Sequence, residues 1–222
     1  MAWLRKRALA VAAALIVALP AQAGTLTVTA LGDSLIQGYG LPQEEGFVPV
    51  LEEWLRARGH DVIVTNAGVS GDTTAGGRSR IEWTLADGPD ALIVTLGGND
   101  LLRGLDPAES RANLAHILQA ATQDGIPVLL TGMPAPGNYG PEFKRDFETI
   151  YPELAEEYGA LLVEDFLAPI SEKAETGQSL GELMQDDRIH PNAAGVRRIV
   201  ERIGPKVEDL LVRAAAELRE QG

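Results

Sequence analysis

Residues 91–100 read Ala91-Leu92-Ile93-Val94-Thr95-Leu96-Gly97-Gly98-Asn99-Asp100. The first six form a near-continuous apolar run, too short for a typical helix and without polar alternation. A run of this kind predicts a strand buried on both faces. Strands buried on both faces belong to parallel sheets whose two sides are covered by helices. Working outward, Leu26–Leu31 (LTVTAL), Asp61–Asn66 (DVIVTN) and Pro127–Thr131 (PVLLT) are strand-like, and Leu161–Val163 reads as a short fifth strand. Between them lie helical patterns. Phe47–Arg58 carries Val50, Leu51, Trp54 and Leu55 at helical spacing, and Ala108–Thr122 carries Leu114, Ile117, Leu118 and Ala121. Glu142–Tyr158 reads as one helix. Ala193–Arg219 reads as one or two closing helices, interrupted at Gly204-Pro205. Strict alternation of strand and helix predicts an α/β fold: a three-layer α/β/α sandwich around a parallel, five-stranded, flavodoxin-like sheet. No repeat, low-complexity segment or linker interrupts it, so a single domain is expected. Sheets of this type bind ligands beyond the carboxyl ends of their strands, and the loops there carry the chemistry.

Composition narrows that chemistry. The chain has 222 residues, 45% hydrophobic and 23% charged, which is ordinary globular usage. It has no cysteine, so disulfides, thiolate metal sites and a cysteine nucleophile are excluded. Three histidines, His60, His116 and His190, leave little material for a histidine-rich metal centre, and no metal is expected. The formal net charge of −13 repels a phosphate backbone, so nucleic acid is not an expected partner.

The N-terminus reads as an address. Arg5-Lys6-Arg7 precedes an unbroken apolar run, Ala8–Leu19, closed by Pro20 and then Ala21-Gln22-Ala23. That order of basic, apolar and small residues predicts a signal peptide over residues 1–23, cleaved after Ala23. The run falls short of the roughly 20 residues a membrane span needs. No cysteine follows it to carry a lipid, so no stable membrane anchor is expected. Cleavage leaves residues 24–222 as the working domain, its charge lowered to −16 because three basic and no acidic residues are lost. The expected location is periplasmic or secreted, and a monomer is expected.

Four loops hold the candidate residues. Gly32-Asp33-Ser34-Leu35 follows the first strand. A serine at the start of a helix is well placed as a nucleophile, where free N–H groups favour negative charge; a helix-capping serine is the competing reading. The G-x-S-x-G elbow of α/β-hydrolases is not the source: Gly68-Val69-Ser70-Gly71 is followed by Asp72. The second loop, Asn66–Asp72, places Gly71 either in a plain turn or with its N–H aimed at a developing oxyanion. The third, Gly97-Gly98-Asn99-Asp100, offers the Asn99 amide as an oxyanion donor or as a turn residue. The fourth, Asp187-Arg188-Ile189-His190-Pro191, holds the one histidine with nearby upstream carboxylates in a polar, non-periodic segment, the arrangement a general base requires. Spacing alone does not choose between Asp186 and Asp187.

Taken in chain order, these four blocks resemble the GDSL/SGNH hydrolase family, over about Leu26–Asn192. Finer stretches, LGGNDLLRGLDP (Leu96–Pro107), Asn138-Tyr139-Gly140 and MQDDRIHPN (Met184–Asn192), look like its periplasmic bacterial acyl-thioesterase, lysophospholipase and arylesterase group. The resemblance implies Ser34 as nucleophile, His190 as base and Asp187 as its orienter. It further implies oxyanion donors from Ser34 N–H, Gly71 N–H and the Asn99 side chain. It implies hydrolysis of small acyl esters or thioesters, lysophospholipids included, with no cofactor. One departure is the segment Gly132–Asn138, longer and richer in proline and glycine than the group's pattern. Leu101, Leu102, Leu105, Met133 and Pro134 are candidates for an acyl groove or, equally, for core. Two rivals stand beside this reading. A carbohydrate O-acetyl esterase would use the same residues, although 5% aromatics give few sugar platforms. A non-catalytic exported binding protein would not require Ser34, Asn99, Asp187 and His190 together.

Overall fold

The computed structural model describes residues 24–175 and 180–221. The signal-peptide reading of Met1–Ala23 falls outside the described residues. The strands are β1 (Leu26–Gly32), β2 (Val62–Gly68), β3 (Ala91–Thr95), β4 (Val128–Thr131) and β5 (Leu161–Val163). They form one all-parallel sheet in the order β2-β1-β3-β4-β5. The expected α/β/α sandwich is therefore present. The chain winds one way from β1 to β2 and the other way from β1 to β3, so the topological switch point lies between β1 and β3. In register, Gly32 pairs with Gly68 on one side and with Thr95 on the other. The carboxyl ends of β1, β2 and β3 are thus level, and the three loops that follow them emerge side by side.

Helices cover both faces. One side carries α2 (Phe47–Arg56), α9 (Ala168–Glu175) and α10 (Ala193–Gln221). Their Leu51, Leu55, Val200, Ile203 and Leu210 pack on Val28, Ala30, Val64 and Ile93. The other side carries α4 (Ile81–Leu85), α6 (Pro107–Gln123), α7 (Pro141–Glu148) and α8 (Ile150–Glu157). There Ile81, Leu114, Ile117, Phe147 and Leu154 meet Leu31, Leu92, Val94 and Leu130. Ala91 and Ile93 of β3 enter one core, Leu92 and Val94 the other, and all five β3 residues are buried. Both-sided burial is the physical reason for the near-continuous apolar run from Ala91 to Leu96. Short helices α1 (Ser34–Gln37), α3 (Thr74–Ser79) and α5 (Gly98–Arg103) sit at the carboxyl edge. Among the described residues no helix is long and apolar enough to cross a membrane.

Two helix expectations need correction. Glu142–Tyr158 is not one helix: α7 ends at Glu148 and α8 begins at Ile150. Pro152 has no N–H to return to the Glu148 carbonyl, but it is tolerated in the first turn of a new helix. Conversely, α10 runs through Gly204-Pro205 without interruption. Val196, Val200, Ile203, Val207, Leu210 and Ala214 keep one buried face on both sides of the pair. The Trp54 ring lies where a Cβ on Gly204 would stand, 2.5 Å away. Burial of that continuous stripe outweighs the one hydrogen bond that Pro205 cannot make.

Gly97 fixes the junction between β3 and its loop. Its φ is +117°, and a Cβ there would stand 2.1 Å from Tyr151 Oη, whose O–H donates to the Leu96 carbonyl at 3.0 Å. Gly97→Ala should cost about 2–4 kcal/mol by chemical denaturation, from strain plus displacement of that phenol. Gly59→Ala is the control, since Gly59 has φ +90° but nothing within 4 Å of its missing Cβ. It should lose only the strain part, about 1–2 kcal/mol; equal losses would mean that the Tyr151 contact contributes nothing.

Candidate active site

Ser34 is the first residue of α1, and the residue that caps this helix is Asp33, whose Oδ1 accepts from Leu35 N–H at 3.0 Å. The capping reading of Ser34 is thereby set aside, and its hydroxyl is directed elsewhere. His190 Nε2 lies 2.9 Å from Ser34 Oγ. His190 Nδ1 lies 2.6 Å from Asp187 Oδ2. A carboxylate only accepts, so the ring proton resides on Nδ1 and Nε2 is left to accept the serine proton.

The loop geometry explains why Asp187, and not Asp186, meets the ring. Arg188 adopts φ +57°, a left-handed conformation uncommon for a side-chain-bearing residue. That turn folds the chain back, so Asp187 Oδ1 accepts from Ile189 N–H at 2.9 Å and His190 N–H at 3.0 Å while Oδ2 serves the ring. The ring hydrogen bond first, and the two backbone donors after it, hold the Asp187 carboxyl down at about 2. It is ionised wherever an imidazole is neutral. The Tyr39 ring packs against His190 with centroids 4.7 Å apart, limiting rotation of the imidazole.

Gly71 and Asn99 stand on the same cavity as Ser34. Gly71 has φ +83°, and its carbonyl accepts from Arg103 Nη2 at 2.9 Å. Asn99 Nδ2 is 3.2 Å from Asp33 Oδ2. The cavity measures about 570 Å³. Leu101, Leu102, Met133 and Pro134 line it, together with Leu35, Pro136, Tyr139, Leu167 and Ile189. Leu105 does not. Gly104, in a left-handed conformation at φ +60°, ends α5 and turns the chain away, and Leu105 N–H donates to the Asp100 carbonyl. The proline-rich segment after β4 supplies one wall and is held at Ala135, whose N–H donates to Glu148 and whose carbonyl accepts from Lys144 Nζ. The other histidines lie elsewhere. His60 sits at the amino end of β2 against Glu208, and His116 is half-buried on α6.

Several supporting residues escape a reading by motif. Asp100 is buried; it accepts from Thr74 N–H and hydroxyl at 2.9 and 2.6 Å and from Ser110 at 3.0 Å. It ties the third loop to the second. Arg80 reaches three acceptors: Asp72 at 2.8 Å, the Ala67 carbonyl at 2.7 Å and the Gly32 carbonyl at 2.9 Å. One guanidinium fork thus joins the ends of β1 and β2, a task for which lysine lacks the geometry. Asp33 is the third such residue. The residue is 2% exposed, and burial pushes its carboxyl up to about 6 against the pull of Leu35 N–H and Asn99.

Asp33 gives a prediction with a definite sign. Because the folded value lies above the ordinary one of 3.8, its contribution to stability is complete below about pH 3.8. That contribution is lost as pH rises through about 6, and the difference is on the order of 3 kcal/mol. Asp33→Asn keeps a capping oxygen and removes the charge. Its thermal midpoint relative to wild type should therefore be several degrees more favourable at pH 7.5 than at pH 4. A pH-independent difference would contradict the desolvation account.

Residues 30–198 match the GDSL-like Lipase/Acylhydrolase family. The chain belongs to that family. It is an enzyme, an esterase of the GDSL/SGNH type. Among its relatives, Esterase TesA of Pseudomonas aeruginosa is 39% identical over 197 residues, covering 88% of this chain and 94% of that protein. Thioesterase 1/protease 1/lysophospholipase L1 of Escherichia coli K12 is 35% identical over 167 residues, covering 75% of this chain and 76% of the relative. The solved structure of AlinE4, an SGNH-hydrolase family esterase, superposes with a TM-score of 0.69 at 44% identity, over 86% of this chain and 99% of the other.

Proposed function

We propose that this esterase hydrolyses carboxylic esters and thioesters through an acyl-enzyme on Ser34. The observation that carries the reading is the continuous chain from Ser34 Oγ through His190 to Asp187, opening onto a largely apolar cavity. His190 Nε2 takes the Ser34 proton as Oγ attacks the carbonyl carbon. Ser34 N–H, Gly71 N–H and Asn99 Nδ2 stabilise the oxyanion. His190 then protonates the departing alkoxide or thiolate. Water, deprotonated by the same imidazole, attacks the acyl carbon and releases the acid and Ser34. These steps call on no metal or organic cofactor. Asp187 stays ionised and holds the ring.

The acyl chain occupies the cavity between Leu101, Leu102, Met133 and Pro134. Its volume far exceeds an acetyl group, which favours longer acyl esters, including lysophospholipids, over carbohydrate O-acetyl groups. A panel of p-nitrophenyl esters, an acyl-CoA and a lysophospholipid tests this. kcat/KM should rise from acetyl toward hexanoyl or octanoyl, since each buried methylene contributes about 0.8 kcal/mol; a maximum at acetyl would restore the O-acetyl esterase. We further infer that residues 1–23 are a signal peptide removed on export, leaving an unanchored monomer outside the cytoplasm. N-terminal sequencing of the mature protein should begin at Gly24.

Asn99→Ala should lower kcat by about 10²–10³-fold with a smaller change in KM, because its amide meets charge that exists only in the transition state. An unchanged kcat would remove Asn99 from the oxyanion hole.

A further inference from the structure

The base and the nucleophile are 156 residues apart in sequence, and they sit on separate elements. The loop that carries His190 is closed at its neck: Met184 and Pro191 form an isolated antiparallel bridge. Gln185 stands just inside that neck. Its backbone N–H donates to the His190 carbonyl at 2.8 Å, and its carbonyl accepts from Arg188 N–H at 3.0 Å. Its side chain points across to the other element. Nε2 donates to the Pro191 carbonyl at 3.0 Å and to the Tyr39 carbonyl at 2.8 Å. Tyr39 N–H, in turn, donates to the Ser34 carbonyl at 3.1 Å. A circuit of hydrogen bonds therefore runs from Ser34 through the Tyr39 peptide and the Gln185 amide to the backbone of His190. It is separate from the hydrogen bond between the two reacting side chains. A glycine at the neighbouring position makes room for the amide. Gly40 has φ +75°, and a Cβ there would stand 2.2 Å from Gln185 Oε1.

We propose that Gln185 is a positioning residue for the reaction: its amide locks the His190 loop onto the turn that follows Ser34. The amide touches neither substrate nor the reacting atoms. It acts by fixing the separation between Nε2 and Oγ, and misplacing a catalytic group by about 1 Å costs on the order of 10²-fold. A primary amide meets the requirement at this site without adding charge. One nitrogen must supply two protons to two carbonyls, a carboxylate would repel both, and a thioether would bond to neither. The inference rests on the reading of Ser34 and His190 as nucleophile and base.

The test uses Gln185→Met, which keeps the volume and loses both donors, and Gln185→Glu, which keeps the shape and replaces the donors with charge. Both should lower kcat by about 10- to 100-fold, with KM within about twofold and the thermal midpoint within a few degrees of wild type. The rate at which a phosphonate ester modifies Ser34 should fall by the same factor, because that step uses the same serine and imidazole but no acyl pocket. The low-field proton resonance of His190 Nδ1–H bonded to Asp187 should persist, since that pair lies within one loop. Unchanged kcat and phosphonylation in a folded variant would overturn the proposal. So would a loss that merely tracks the unfolded fraction. Should Ser34→Ala keep its activity, the reading of the site fails; should Ser34→Ala be inactive and Gln185→Met normal, the positioning role alone fails.

Discussion

Ser34→Ala is expected to lower kcat for a short p-nitrophenyl ester by about 10⁴–10⁶-fold, with KM little changed. The methyl group removes the attacking oxygen and leaves the cavity, Gly71 and Asn99 in place. No second hydroxyl replaces it. Ser70 and Ser171 also line the cavity, but Ser70 Oγ donates to Gln37 and Ser171 is bonded to Asp165. Neither is linked to His190. What remains is turnover by water under the influence of the oxyanion donors, and that residue of activity is why the expected rate stays above the uncatalysed one. Stopped assays at high enzyme concentration measure it, and activity within tenfold of wild type would refute the assignment of Ser34.

His190→Ala should cost nearly as much, about 10⁴–10⁶-fold, because a serine hydroxyl without a base is a poor nucleophile at neutral pH. The informative variant is the double one. If Ser34 and His190 act as a unit, Ser34→Ala/His190→Ala should be no slower than either single variant to within a few-fold. Multiplying losses would mean that the two residues serve different steps, and would separate the 2.9 Å contact from catalysis.

Much of this site is legible along the chain because its parts are local. Ser34, Gly71 and Asn99 each follow a strand end, and level strand ends at the switch point bring consecutive blocks together. Asp187 and His190 are three residues apart, so a single tight turn suffices to join them. The residues that hold these blocks in place are less legible. Arg80 reaches Gly32 and Ala67, Asp100 reaches Thr74, and Gln185 reaches Tyr39. Each bond spans between 13 and 146 positions, and nothing in the local pattern of an arginine, aspartate or glutamine signals its distant partner. Asp33 was in plain view within the first block, yet its burial, and hence its raised carboxyl, depends on packing from β3 and its loop. The helix boundaries show the same division. Pro152 lies in the first turn of a helix and Pro205 deep within one, and the difference rests on a buried stripe that only tertiary structure supplies. The loss of Leu105 from the cavity wall likewise turns on one left-handed glycine, Gly104.

The most direct measurement is the mass of the protein, and of its proteolytic peptides, after reaction with a p-nitrophenyl phosphonate ester. The account predicts a single adduct, on the oxygen of Ser34, formed with release of one equivalent of p-nitrophenol and slowed by orders of magnitude in His190→Ala. An adduct on any other residue, or no adduct on an enzyme that still hydrolyses esters, would contradict it.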